Sequence, residues 1–142
     1  MGTDGIHTLS RAACLRLLAT VPVGRFVYTT AGLPAIVPVN FIVDSDRIVF
    51  RTSEGAKLVA VREGTVIAFQ ADDIDSVSRS GWSVTVVGKA RLLEGPEADR
   101  FRSDLLRPWV GDTREDVVAI DITLVTGRRV GHVDSERLDR AG

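Results

Sequence analysis

The chain has 142 residues, 44% of them hydrophobic and 26% charged, and its formal net charge is -1 at pH 7. This composition is ordinary for one globular domain, which at this length can bury a core without disulfides or a structural metal. The balanced charge excludes a general attraction to nucleic acid or acidic membranes, and the single cysteine excludes a disulfide framework. The N-terminus lacks the order of a signal peptide, and no apolar run reaches the roughly 18–20 residues of a membrane helix. We therefore expect a single cytoplasmic domain over 1–142, with loose termini at 1–7 and 131–142.

The first half of the sequence predicts one short helix and then three β-strands. In LSRAACLRLLAT, leucines and alanines recur at helical spacing, and Thr8 or Ser10 can cap the start of the helix. The segments RFVYTTA, PAIVPVNFIV and RIVFRT are rich in β-branched and aromatic residues, with the short turns GLP and DSD between them. Such short connections are typical of antiparallel neighbours. Pro38, inside the second strand, cannot donate a ladder hydrogen bond and therefore predicts a sheet edge or a bulge.

The second half adds two helices and three strands. KLVAVRE predicts a short helix, and GPEADRFRSDLLRPW predicts a longer one with Ala98, Phe101 and Leu105 on one face. TVIAFQA, WSVTVVGKARLLE and DVVAIDITLV predict the fourth, fifth and sixth strands, with Gly88 at a bulge or bend of the fifth. Six strands with short turns and few helices favour a mostly β fold, a small antiparallel β-barrel with flanking short helices.

The motifs of several common enzyme classes are missing from the sequence. It has no dinucleotide-binding glycine fingerprint, no phosphate loop of the Walker type and no hydrolase nucleophile elbow. His7 and His132 lie near opposite ends without clustered cysteines or carboxylates, so we expect no metal site. If the protein is an enzyme, its chemistry therefore belongs to a bound cofactor.

The segment RTSEGAK, residues 51–57, combines the groups that bind a terminal phosphate. Arg51 and Thr52 end a predicted strand and Lys57 begins a predicted helix, whose unpaired N–H groups favour an anion. Arginine offers a planar fork, lysine a mobile charge and threonine a neutral donor. An alternative stays open, because Ser53 can simply cap the helix while Glu54 complements the helix dipole without any ligand.

Four pieces of the sequence, in the order GLPAIVPVNF, FRTSEGAK, GWSV and TGRR, carry a resemblance to a known family. Over roughly residues 15–130 the chain resembles the pyridoxamine 5'-phosphate oxidase-like family of flavin-binding split barrels, in particular its short bacterial and actinobacterial branch. The resemblance implies a homodimer of six-stranded antiparallel split β-barrels, with flavin mononucleotide (FMN) in two grooves at the subunit interface. The C-terminal VGHVDSERLDRAG does not match the substrate-binding region of the authentic oxidases, so the resemblance does not extend to vitamin B6 as the substrate.

The same resemblance assigns cofactor contacts to individual positions. For the FMN phosphate it implies Arg51, Thr52, Ser53, Ala56 and Lys57. Along and beside the flavin ring it implies Pro38, Val39, Asn40, Trp82 and Ser83, the last two often from the partner subunit. In TGRR it brings one of the two arginines to the cofactor without saying which; we include Arg128 in the candidate set. Two alternatives stay open, since Trp82 can be a core or interface anchor and the arginine pair can be solvated.

The leading prediction is an FMN-dependent oxidoreductase that acts on a small molecule. One alternative is a reductase that uses the deazaflavin cofactor F420 in the same groove, with basic side chains drawn from Arg25, Arg47, Lys57, Lys89 and Arg91. Another is a flavin- or haem-binding module without catalysis. A purely structural role for 51–57 would leave ligand affinity unchanged in Arg51→Ala and Lys57→Ala.

Overall fold

The computed structural model describes residues 6–52, 65–102 and 116–131. In these ranges eight strands and two helices follow one another in the order β1 (Ile6–Thr8), α1 (Arg11–Leu18), β2 (Val23–Thr30), β3 (Leu33–Asp44), β4 (Arg47–Thr52), β5 (Val66–Asp75), β6 (Ser80–Leu93), α2 (Gly95–Arg100), β7 (Asp116–Asp121) and β8 (Leu124–Val130). No helix of these ranges is long and apolar enough to cross a membrane.

Six of the strands close into an antiparallel barrel. Their order is β6-β5-β2-β3-β4-β7, and β7 returns to β6 through pairs such as Ala90 with Ile120. The long strand β6 closes the barrel because β5 pairs with one of its edges, while on the other edge β8 is followed by β7 beyond Gly88. A side chain at Gly88 would overlap the carbonyl of Asp121, so this bend requires glycine. The predicted six-stranded antiparallel barrel is confirmed.

The predicted sixth strand, DVVAIDITLV, is in fact two strands. Strand β7 ends at Asp121, and β8 begins at Leu124 on the same edge of β6, with its register shifted by one residue. In this break, the amide of Ile122 donates to the carbonyl of Asp46 (2.9 Å), and that of Thr123 donates to the carbonyl of Val87 (3.2 Å). The single-strand prediction missed the break because Ile122 is also buried, so the apolar pattern continues where the pairing with β4 ends.

The segment before α1 differs from the expectation of a loose terminus over 1–7. Ile6 and His7 lie in β1, which pairs with the end of β8 through Ile6 with Val130 and Thr8 with Arg128. As a result, the arginines of TGRR lie in a strand between β1 and β6, not in a tail. The segment is ordered by backbone hydrogen bonds to β8, which its polar side chains gave no reason to expect.

Aromatic side chains fill the barrel. Phe26 and Phe50 stack with their ring centroids 4.7 Å apart, and Phe41 meets Phe69 edge to face at the same distance. Such pairs add to the stabilisation that burial provides. Helix α1 begins at the predicted cap, since the Ser10 hydroxyl accepts a hydrogen bond from the amide of Ala13 (3.1 Å).

A second, smaller apolar cluster lies outside the barrel, beneath α2. It contains Val49 of β4 together with Ala98 and Phe101, which confirms the buried face predicted for the second helix as far as that helix is described. Leu105 and the rest of its predicted length lie outside the described residues. Because Val49 packs in this cluster, its side chain marks the face of β4 that points away from the barrel interior.

Candidate functional site

Strands β3 and β4 separate at one end of the barrel. Their pairing runs from Asp44 opposite Arg47 to Phe41 opposite Phe50. Before Phe41, β3 continues as a partner of β2, and within the described ranges no strand pairs with its other edge. Pro38 lies in this one-sided part of β3, so the edge position predicted from its missing N–H is confirmed.

The backbone of Pro38 and Asn40 faces the opening between the two strands. The amide of Phe41 donates to the carbonyl of Pro22 (3.1 Å), on the side where β2 begins. Successive residues of a strand direct their backbone groups alternately to opposite sides. The carbonyl of Pro38 and both backbone groups of Asn40 therefore point away from β2, into the opening, where they can contact a ligand.

Side chains along β3 alternate between the barrel interior and its outer side. Val39 is 5% exposed and belongs to the core, whereas Ile42 packs on the outer side against the cluster that contains Val49. Pro38 and Asn40 share the outer side with Ile42, because even spacing along a strand returns to the same face. The side chain of Val39 is committed to the core, and its backbone N–H and C=O are directed toward Gly24 of β2. Contact of Val39 with a cofactor stays a prediction.

Arg51 and Thr52 end β4 at the same opening. Among the described residues they are the buried polar or charged ones, at 6% and 4% exposure. Arg51 lies on the outer side with Val49, two residues earlier, and the alternation turns Thr52 toward the interior. A buried guanidinium is uncommon in proteins. Arg51 lies one residue beyond the last β3–β4 pair, as Asn40 does on β3.

The remaining phosphate contacts implied by the resemblance are Ser53, Ala56 and Lys57. They follow Thr52 directly in the chain and lie outside the described residues, as does the helix predicted for KLVAVRE. The structure thus describes the strand end that leads into the 51–57 segment.

Trp82 and Ser83 lie on opposite faces of β6. Trp82 is 5% exposed and belongs to the barrel core, as its structural alternative predicted, while Ser83 faces outward. In the pairing with β8, Trp82 is opposite Arg129 and Ser83 is opposite Arg128. The outer side therefore carries Ser83 and Arg128 together with Pro38, Asn40 and Arg51. Proximity of Trp82 to a cofactor stays a prediction.

A hydrogen-bonded network that sequence reasoning missed crosses the outer side of β2, β5 and β6. Arg25 Nη1 donates to Gln70 Oε1 (3.1 Å) and lies 3.8 Å from Asp72 Oδ2. Gln70 Nε2 donates to Asp72 Oδ2 (2.7 Å) and to Ser83 Oγ (3.2 Å). The i, i+2 spacing of Gln70 and Asp72 in a predicted strand indicates that they share a face. That Arg25 and Ser83 lie beside them depends on how β5 pairs with β2 and β6, which the sequence alone did not reveal.

Of the basic residues considered for a polyanionic cofactor, Lys57 lies outside the described residues, and the arginines pair with different carboxylates. Arg47 bonds Asp44 (3.0 Å) and Glu97 (2.7 Å) at the end of β4 away from Thr52. Burial lowers the pKa of Arg47, but its hydrogen bonds and charge interactions with Glu97 and Asp44 outweigh this effect and raise the pKa above its usual value. Arg91 lies 3.8 Å from Asp121. These positions do not form one basic groove with Arg25.

Other chemistry finds little support in the described ranges. Burial raises the pKa of the Cys14 thiol, which keeps it protonated and unsuited to nucleophilic catalysis. No group of three or more histidine, cysteine or carboxylate side chains in the described part of the chain could hold a metal ion.

A cleft of about 380 Å³ lies between the segment that precedes β2 and strand β3. Its lining consists of 18–22, between α1 and β2, and 41–43 of β3. These β3 residues belong to the part that pairs with β4, and none of the candidate site residues lines the cleft.

The model of the pyridoxamine 5'-phosphate oxidase family matches residues 10–129. The chain belongs to this family. The match covers both the open edge of β3 and the end of β4, and it confirms the resemblance carried by the four sequence pieces.

Relatives of this pyridoxamine 5'-phosphate oxidase family member share its length and fold. An uncharacterised protein of Mycobacterium tuberculosis is 46% identical over 127 residues, which are 86% of this chain and 84% of that protein. The FAD binding protein from Mycobacterium smegmatis is 35% identical with a TM-score of 0.70, over 87% of this chain and 98% of that one. A conserved protein of unknown function from Corynebacterium diphtheriae is 32% identical with a TM-score of 0.72, over 89% and 99% of the two chains.

Proposed function

We propose that the protein is a flavin-dependent oxidoreductase that binds FMN at the opening between β3 and β4 and acts on a small molecule. The observation that carries the proposal is the combination of an open backbone edge, at Pro38 and Asn40, with a buried cation on the same outer side, at Arg51. A flavin nucleotide needs both kinds of group, because its ring system has a polar edge and its chain ends in a phosphate. The 35% identity to a protein named as FAD binding supports a flavin.

The phosphate end would be held at the end of β4. Arg51 supplies a planar set of donors, and Lys57 would add a second positive charge. A contact from Thr52, whose side chain turns toward the interior, stays a prediction. Burial strengthens the attraction of Arg51 for an anion, since charges interact more strongly away from water. In an otherwise near-neutral protein, the anion site is thus local.

The ring end would lie along β3. The carbonyl of Pro38 can accept a hydrogen bond, and the amide and carbonyl of Asn40 can donate and accept, so these backbone groups can orient a polar ring edge. When bound, the flavin supplies the transfer of hydride or electrons, and the residues of this chain hold it and exclude water around it. The Asn40 side chain adds an amide on the same outer side.

A second copy of the chain would complete the site. An outward-facing row of apolar residues runs straight across five paired strands and comprises Ile36, Val27, Ala68, Val87 and Leu124. Ile36 is 66% exposed and Leu124 is 56% exposed. A continuous exposed apolar face of this kind is typical of an interaction surface. We propose that two copies pack through this face and that Ser83 and Arg128 approach the cofactor there.

The identity of the cofactor is tested on the purified protein. Mass spectrometry and the visible spectrum of the co-purifying ligand distinguish FMN, FAD and the deazaflavin. We expect oxidised-flavin absorbance and the mass of FMN. A deazaflavin spectrum would replace FMN in the proposal, and a protein that neither co-purifies with nor binds any of the three would overturn it.

A binding role without catalysis is the second candidate, and the name of the Mycobacterium smegmatis protein, which specifies binding, favours it. Anaerobic mixing of the FMN-loaded protein with NADH or NADPH separates the two. Bleaching of the flavin absorbance followed by reoxidation with an acceptor is expected of an oxidoreductase. Tight binding with no reduction by either nucleotide would favour the binding role.

A further inference from the structure

We propose that Ser83 donates a hydrogen bond to the bound flavin, and that Gln70, oriented by Asp72 and Arg25, fixes Ser83 in this donor role. The inference rests on the proposed function, since it concerns the same cofactor. Gln70, Asp72 and Arg25 are positioning residues in this scheme, and Ser83 is the contact. Each hydrogen bond in the outer-side network has a defined donor and acceptor.

The orientation of the Gln70 amide is set from both ends. An ionised aspartate can only accept hydrogen bonds and a guanidinium can only donate them. The amide nitrogen therefore faces Asp72 Oδ2 (2.7 Å), and the amide oxygen faces Arg25 Nη1 (3.1 Å). Rotating the amide by half a turn would place oxygen against carboxylate and N–H against guanidinium, so both contacts would become repulsive.

The fixed amide in turn sets the polarity of Ser83. Gln70 Nε2 donates to Ser83 Oγ (3.2 Å), which occupies an acceptor position of the hydroxyl. A serine hydroxyl has one O–H donor besides its acceptor positions. Because Gln70 presents a donor, the hydroxyl proton of Ser83 points elsewhere, and Ser83 lies on the outer side where the cofactor and the second copy are proposed. A flavin ring offers carbonyl and ring-nitrogen acceptors that suit this donor.

The position of the network supports this role. Arg25 is directly opposite Pro38 in the β2–β3 pair, and Ser83 is directly opposite Arg128 in the β6–β8 pair. The network thus spans the outer side between the open edge of β3 and the strand that carries Arg128. A polar network that a second copy would cover is costly unless its groups have partners. Within this network the Gln70 amide and the Asp72 carboxylate have partners, and the Ser83 hydroxyl proton is left to be donated to the flavin.

The test compares FMN binding by wild type, Ser83→Ala, Gln70→Met and the double variant. We expect each single variant to weaken FMN about five- to tenfold, the usual effect of one lost hydrogen bond. The double variant should be no weaker than either single one, because both changes remove the same contact. The visible absorption bands of the bound flavin should shift alike in the two single variants. Thr29→Val is the matched control, an exposed outward hydroxyl on β2 four residues from Arg25, and should leave affinity and spectrum unchanged.

Each result decides the inference separately from the proposed function. A wild type that binds no flavin would refute the function, whereas a wild type that binds FMN while Ser83→Ala and Gln70→Met bind it equally well would refute only the donor role. Additive losses in the double variant would also refute it. If Gln70→Met does not fold, Asp72→Asn replaces it, since its amide can donate and so releases Gln70 from its orientation. We expect a spectral shift in the same direction, and an unshifted spectrum would overturn the proposal.

Discussion

Asn40 and Arg51 each lie one residue beyond the last β3–β4 pair, Phe41 with Phe50, and both are on the outer side of the barrel. Asn40 offers backbone groups that point into the opening between the two strands, and Arg51 is a buried cation at the end of β4. The separation of the strands after a regular ladder thus leaves an open backbone edge on one strand and a buried charge on the other, the two features on which the proposed flavin site rests.

Replacing Lys57 by alanine should weaken FMN binding and leave the fold intact. The lost charge-assisted contact should cost about 1.5–3 kcal/mol of binding free energy. Fluorescence quenching during FMN titration measures the two dissociation constants, and the melting temperatures check the fold. Equal dissociation constants would mean that the 51–57 segment is an ordinary polar turn.

Replacing Arg51 by alanine should reduce both FMN affinity and stability, since Arg51 is buried. We expect a loss of about 1.5–3 kcal/mol in binding, with a lowered melting temperature. Arg47→Ala is the matched control on the same strand, because Arg47 holds Asp44 and Glu97 at the other end. That control should lower stability without changing affinity. If both variants bind FMN as wild type does, the phosphate is not at the end of β4.

Introducing a charge into the apolar row should separate the proposed dimer. Leu124→Asp places a carboxylate at one end of the apolar row, on a face that a second copy would cover, and burying an unpaired charge is strongly unfavourable. Sedimentation velocity should show a monomer, and FMN affinity should fall because the partner's contacts are lost. Val77→Asp, at an apolar residue 91% exposed in the β5–β6 turn, is the control and should stay dimeric. A dimeric Leu124→Asp variant would place the interface elsewhere.

Replacing Gly127 by alanine should destabilise the contact between α1 and β8. A side chain there would overlap Cys14 Sγ and approach Val84. Overpacking of this kind costs about 1–3 kcal/mol of unfolding free energy. In the double variant with Cys14→Ala, part of the loss should be recovered, since the sulfur is removed. Urea denaturation of the four proteins gives the coupling, and strictly additive losses would show that the two positions do not compete for space.

Much of the barrel could be predicted because its information is local. Pro38 marked the open edge since a missing N–H excludes a ladder partner wherever the strand lies. Ser10 marked the start of α1 by the same kind of local chemistry. The break after Asp121 was missed because burial continues through Ile122, and an apolar pattern does not record which strand covers it.

The site was predicted in part, for a related reason. Trp82 and Ser83 were assigned to the cofactor together, as neighbours in GWSV. In the strand they lie on opposite faces, so Trp82 is in the core and Ser83 is on the outer side. Gln70 was overlooked because its partners Arg25 and Ser83 come from other strands, 45 and 13 residues away.

Taken alone, the amino-acid order determined the strands, the capped helix, the edge at Pro38 and the family, since each depends on residue types within a short window. Tertiary structure decided which side chains share a face, where β3 and β4 separate, and which residues join Ser83 in a network. Those features depend on strand register, which is set by the burial of many side chains at once and is not encoded in any one segment.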